Sequence, residues 1–170
     1  MKITRLLSAA ILICFILSGC AGDLQSGNAV AFYYRSTASD FGSETGLFAV
    51  ENRYVPYNPT EYEKLIEEYL KGAKSADCTS PFPGGTTLVD FTLRDGSATI
   101  VFSPHMALQS QADVITCCTC ICKTLFTLGN IDMISIAIEG TQINGETELT
   151  FQKDSFMIWD DTQSNVTGNP

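Results

Sequence analysis

Histidine occurs once in this chain, as His105 in Ser103-Pro104-His105-Met106. A Ser/His or Cys/His catalytic pair would have only that one imidazole to use. It follows a strand in a turn-forming stretch, which reads as a solvated loop histidine. The GxSxG elbow, the glycine loops that cradle phosphates or dinucleotides, and the HExxH zinc motif are all missing. Basic residues are scarce too: 10 Lys and Arg stand against 19 Asp and Glu, a formal net charge of −9 over 170 residues. Such a surface is repelled by nucleic acid and by anionic lipid headgroups, so nucleic acid is not an expected partner. The apolar run from Leu6 to Leu17 is 12 residues, short of the roughly 20 that cross a bilayer.

That run has another use. It follows a small basic start, Lys2 and Arg5, and ends in Leu17-Ser18-Gly19-Cys20. Its length suits the h-region of a secretory signal. A cysteine placed directly after small residues resembles a bacterial lipobox. The resemblance implies removal of residues 1–19 and attachment of acyl chains such as palmitate through Cys20, on the outer face of the cytoplasmic membrane of a Gram-positive cell. Processing would also remove both N-terminal cations, so the mature 151 residues would carry 8 basic and 19 acidic side chains, net −11. Membrane contact is then expected through the acyl chains rather than a basic patch, and two chains anchor where one does not.

Residues 20–28 read as a lipidated tether, residues 29–159 as a single domain and residues 160–170 as a disordered tail. Ala29 to Arg35 and residues 47–55 are expected strands, the second with weak alternation. The first helix follows Asn58-Pro59, with Thr60 as N-cap and Glu63 completing a capping box. Tyr62, Leu65, Ile66, Tyr69 and Leu70 form its buried stripe, and Gly72 ends it. Leu88 to Arg94 alternates, turns through Asp95-Gly96 and returns from Ala98 to Phe102 as a hairpin. The second helix covers about residues 111–128, capped by Ser110 with Asp113. A strand at 132–139, a turn at Asn144-Gly145 and a return through Glu148 to Gln152 follow. Phe156-Met157-Ile158-Trp159 reads as an edge strand or a docked tail. The expected class is α+β, two helices on one antiparallel or mixed sheet.

Cys117, Cys118, Cys120 and Cys122 crowd into one helix, and Cys78 stands apart. With Cys20 lipidated the remaining number is odd, which is no disulfide framework. An anaerobic, reducing habitat would account for exported free thiols; paired cysteines in natively alkylated material would exclude it. At about 100° per residue, with Val114 at zero, the sulfurs fall near 40° (Cys118), 80° (Cys122), 240° (Cys120) and 300° (Cys117). One helix does not wrap one metal with that set, so packing is the expected role. On this reading Cys118 sits in the core stripe and Cys120 on the side of Thr116, Lys123 and Thr127. Neither a cofactor nor a metal is expected. Glu61, Glu63, Glu67 and Glu68 read as a solvated helix face. The tyrosines of the first half are expected at the helix–sheet interface, and Phe82 folded onto the core.

Several short motifs in order resemble a GerMN domain, the sporulation and spore-germination module of Gram-positive envelopes. They are Phe32-Tyr33-Tyr34, Leu70-x-Gly72, Pro81-Phe82-Pro83-x-Gly85-Thr86, Asp95-Gly96 with Val101-Phe102-Ser103, and Thr124-Leu125 before the isoleucine strand. The match runs over about residues 29–140. It implies a small α+β domain akin to ring-building modules, often membrane-tethered, with no catalytic residues to carry over. Gly72-Ala73 stands where the family often has Gly-Pro, and one copy stands where the family's namesake has two. The expected function is a lipid-anchored, non-catalytic binding or assembly module. Envelope or sporulation proteins are its expected partners, and self-assembly is allowed. Two other classes stay open: a wall-active enzyme using dispersed carboxylates, and a metal or redox lipoprotein using Cys117, Cys118, Cys120 and Cys122.

Overall fold

The computed structural model describes residues 27–37 and 47–157. The signal segment, Cys20 with most of the tether, and the tail 160–170 lie outside the described residues. The chain runs through β1 (Asn28–Ser36), β2 (Phe48–Val55), α1 (Tyr62–Leu70), β3 (Cys78–Thr79), β4 (Leu88–Arg94), β5 (Ser97–Phe102), a 3-10 turn (Pro104–Ala107), α2 (Gln111–Phe126), β6 (Met133–Ile138), β7 (Leu149–Gln152) and α3 (Lys153–Met157).

The α+β class holds, but the strands divide into two sheets, ordered β2-β1-β3 and β4-β5-β6-β7. β5 and β6 pair in parallel because α2 supplies the crossover between them, and the other pairs are antiparallel. The division has a physical cause at the second edge of β1. There the Tyr33 N–H donates to Thr124 Oγ1 of α2 at 2.9 Å, and the Tyr33 carbonyl accepts from the Tyr69 hydroxyl of α1. Two helices satisfy the backbone positions that a further strand would use. Thr124 is 0% exposed, so Thr124→Val should orphan that N–H and cost about 1–3 kcal/mol by chemical denaturation. Thr119→Val, which removes only a half-buried bond to the Ile115 carbonyl, should be close to neutral.

α1 joins the two sheets. Its Tyr62 ring meets Phe91 of β4 at 5.7 Å, and its Tyr69 ring stacks on Tyr34 of β1 at 4.8 Å. The cap of α1 differs from the Thr60–Glu63 expectation. Asn58 Oδ1 accepts from the Thr60 N–H and Glu61 Oε1 accepts from the Asn58 N–H, so side chains hold the turn that precedes the helix. The residue that precedes the helix is Glu61, and its side chain makes no capping bond to the first turn. Gly72 ends the helix at φ +93° as expected. Ser110 caps α2, accepting from the Asp113 N–H at 3.2 Å.

Both hairpin turns adopt positive φ at both central residues, Asp95-Gly96 at 49° and 78° and Asn144-Gly145 at 53° and 86°, the type I′ signature. The second does not join β6 directly to β7. Ile136 pairs with Leu149, and the turn closes an Ile143–Glu146 bridge within the excursion 139–148. Of the two expectations for residues 156–159, an edge strand or a docked tail, the strand is not formed at Phe156-Met157, which end the short helix α3, while Ile158 and Trp159 lie outside the described residues.

Candidate functional site

The strongest assembly of polar and aromatic groups lies under β2. Inward positions on that strand are Glu51, Arg53 and Val55, all buried. The Arg53 guanidinium packs over the Phe32 ring at 4.8 Å and the Tyr34 ring at 5.4 Å. Its Nη2 donates to the Tyr34 hydroxyl at 2.8 Å and to the Gly72 carbonyl at 2.6 Å, and its Nε donates to Glu51. The other Glu51 oxygen accepts from the backbone N–H groups of Lys74 and Ser75, each at 2.8 Å. Sheet, helix end and following loop are thereby clamped at one point.

Burial alone would raise the Glu51 carboxyl. The hydrogen bonds from Arg53, Ser75 and Lys74 outweigh it and hold the group below the usual carboxylate range. Burial pushes the Tyr34 phenol up against the opposing pull of Arg53. The side chains of Arg53 and Glu51 are only 6% and 9% exposed, so this cluster holds structure together and does not present itself to a ligand. It was not legible as a site in the sequence. The signal was the weak alternation of residues 47–55, where Glu51 and Arg53 occupy positions that an ordinary strand fills with apolar side chains.

The aromatic core beside it follows expectation. Phe82 is folded inward, 5.6 Å from Tyr69 and 5.2 Å from Phe102 between ring centres. Tyr34, Tyr62 and Tyr69 are buried at the helix–sheet interface, while Tyr54 remains exposed.

All four cysteines of α2 are 0% exposed, and Cys78 is 8% exposed. The side of Cys120 is packed along the C-terminal half of the helix. Every residue from Cys120 to Phe126 is buried, because the edge of β1 and Tyr69 of α1 cover that side. Small side chains are what allow a helix to approach a strand edge this closely. Burial pushes the thiols of Cys117, Cys118 and Cys120 up to about 12 and Cys122 well above its ordinary value. The Cys117 Sγ also bonds Gln109 Nε2 and the Pro81 carbonyl, each at 2.9 Å. A thiol held protonated is a poor nucleophile. Among the described residues no three His, Cys, Asp or Glu side chains gather into a set that could hold a metal ion.

His105 is exposed on the 3-10 turn. Glu63 and Glu67 are solvated, as expected of that helix face. Glu68 departs from it, lying among Lys71 at 2.8 Å, Lys74 at 3.1 Å and Arg53 at 3.7 Å. Lys64 holds the Glu61 carboxyl below its usual range, and Lys71 and Lys74 do so for Glu68 against the opposing effect of burial. A general acid needs the reverse, a carboxyl raised towards neutrality. A cleft of 610 Å3 opens between the start of α1 and Phe91 and Leu93 of β4. Glu61 and Glu63 line it beside Lys64. No helix among the described residues is long and apolar enough to cross a membrane.

Comparison with known proteins agrees with this architecture. The tandem GerMN domains of the sporulation protein GerM from Bacillus subtilis superpose with a TM-score of 0.57 at 19% identity, covering 76% of this chain and 46% of that one. The first GerMN domain of the same protein gives 0.55 at 17% identity, covering 72% of this chain and 93% of that one. At these identities the likeness speaks for the fold, and the chain spans about half of the tandem protein. No curated protein matches. A family model described as sporulation and spore germination matches residues 31–144, and by that match the chain belongs to the Germane family.

Proposed function

We propose that this protein is a lipid-anchored, non-catalytic binding or assembly module that works on the outer face of the cytoplasmic membrane in sporulation or spore germination. The observation that carries the reading is the family match over residues 31–144. The lipobox-like Leu17-Ser18-Gly19-Cys20 supports the anchor. Buried, protonated thiols and carboxyls held low support a role in holding rather than cutting. Its partners on this reading are envelope or sporulation proteins.

Labelling with palmitate tests the anchor. The wild-type chain should carry the label and sediment with membranes, whereas Cys20→Ser should be unlabelled and keep its first 19 residues. A wild-type chain recovered with those residues intact and no label would overturn it. Incubation of the purified chain with peptidoglycan should release nothing; soluble wall fragments would favour the wall-active enzyme instead.

A further inference from the structure

The side of β1 and β2 opposite Phe32, Tyr34, Glu51 and Arg53 carries Ala29, Ala31, Tyr33, Val50 and Tyr54, with the uncharged Asn52 among them and Phe48, which is half-buried against the core, at one end. Val50 and Tyr54 are 48% and 56% exposed. The register places Tyr33 opposite Val50 and Ala29 opposite Tyr54, so the apolar groups form one surface. In a chain with 19 acidic residues, no outward position of these two strands is a carboxylate. Among the described residues, two cations meet it. Arg35 lies at one end, bonded to Asp113 at 3.1 Å, and the Lys123 amine lies 5.4 Å from the Tyr33 ring and 5.5 Å from the Phe48 ring.

A second copy of the chain fits this face poorly. Two paired strands of eight residues cover on the order of 300 Å2, against the roughly 800 Å2 per partner of a stable interface. Pairing along the free edge of β2 is opposed by Glu51 and Arg53, charges that point inward from an edge strand.

A lipid surface fits better. The chain enters β1 at Asn28, eight residues after Cys20, so a lipid on Cys20 would hold that strand end within about 29 Å of the bilayer at full extension. Tethering makes the encounter intramolecular, at an effective concentration on the order of millimolar, so a small apolar surface is enough. Tyrosine suits the headgroup layer, with its ring in the apolar zone and its hydroxyl in water. We infer that, once the chain is anchored through Cys20, the outward face of β1 and β2 lies on the lipid headgroups and turns the acidic remainder of the domain away from the membrane. The inference rests on the proposed lipid anchor.

The test supplies that anchor chemically, so its outcome is separate from whether cells acylate Cys20. The chain beginning at Cys20, in a Cys78→Ala, Trp159→Phe background, is coupled through the Cys20 thiol to a maleimide lipid in phosphatidylglycerol-containing vesicles. Single reporters Val50→Trp, Tyr54→Trp and Val89→Trp are compared, Val89 being an exposed residue of the other sheet. With lipids brominated in the upper acyl chain, the reporters at 50 and 54 should lose about half of their emission and the one at 89 almost none. Adding Ala31→Glu should restore the emission. Uncoupled protein should not sediment with the vesicles. Equal quenching at all three sites, or at none, would overturn the inference. So would an emission shift at 50 and 54 that grows with protein concentration without lipid, which would assign the face to a second copy.

Discussion

Glu51→Ala should destabilise the domain by about 3 kcal/mol, because it removes the hydrogen-bonded partner of the buried Arg53 guanidinium and leaves only Glu68, at 3.7 Å, to offset the charge. It also removes the acceptor of the Lys74 and Ser75 N–H groups, freeing the loop that leads into β3. Replacing both partners, as Glu51→Leu with Arg53→Met, should cost clearly less than either loss alone, since no uncompensated charge then remains. Urea unfolding of the wild type, Glu51→Leu, Arg53→Met and the double variant as a double-mutant cycle measures the coupling. Additive effects would show that the pair does not act as a unit. The Glu51 carboxyl is held below its unfolded value, so its contribution is present above the unfolded pKa and disappears as pH falls through the folded one. The stability of the wild type should therefore drop below about pH 4, and Glu51→Gln should flatten that part of the profile.

Native alkylation at neutral pH should leave Cys117, Cys118, Cys120 and Cys122 unmodified while modifying Cys78 first. A thiol held near 12 has about a thousandfold less thiolate at pH 7 than one near 9, and burial at 0% exposure blocks the reagent as well. In urea all five should react at ordinary rates. Rapid labelling of any of the four in the folded chain, counted by peptide mass spectrometry, would revive the metal or redox reading. The linkage runs opposite to that of Glu51. These thiols are protonated in the folded state while the unfolded ones ionise, so stability should fall as pH rises above about 8.5 towards the folded values, each group adding up to about 1.4 kcal/mol per pH unit. A fourfold Cys→Ala variant should lose that alkaline slope.

Local features of the fold were legible wherever one residue dictates a conformation. Asp95-Gly96 and Asn144-Gly145 demanded positive φ and obtained it. Ser110 capped α2, and Tyr62, Leu65, Ile66 and Tyr69 faced the core. What the sequence concealed was long-range. Nothing near Tyr33 announces that Thr124 and Tyr69 will close the edge of β1 and split the strands into two sheets. Helical periodicity put Cys120 beside Thr116, Lys123 and Thr127 and could not show that β1 and Tyr69 cover that side. Glu51 and Arg53 escaped notice because a charged residue in a strand pattern is read as pointing to water. Here cation–π contacts and backbone donors hold the pair inside.

These features suit a domain that keeps its shape while others bind it. Its polar interior is consumed by its own loop and helix ends, and its thiols are sealed. Crosslinking in sporulating cells that carry the full-length chain tests the central claim most directly, with a photoreactive residue at an exposed position such as Leu108. The account predicts a discrete adduct with an envelope protein in the membrane fraction, lost in Cys20→Ser. Only uncrosslinked chain at every stage of sporulation, with or without Cys20, would contradict it.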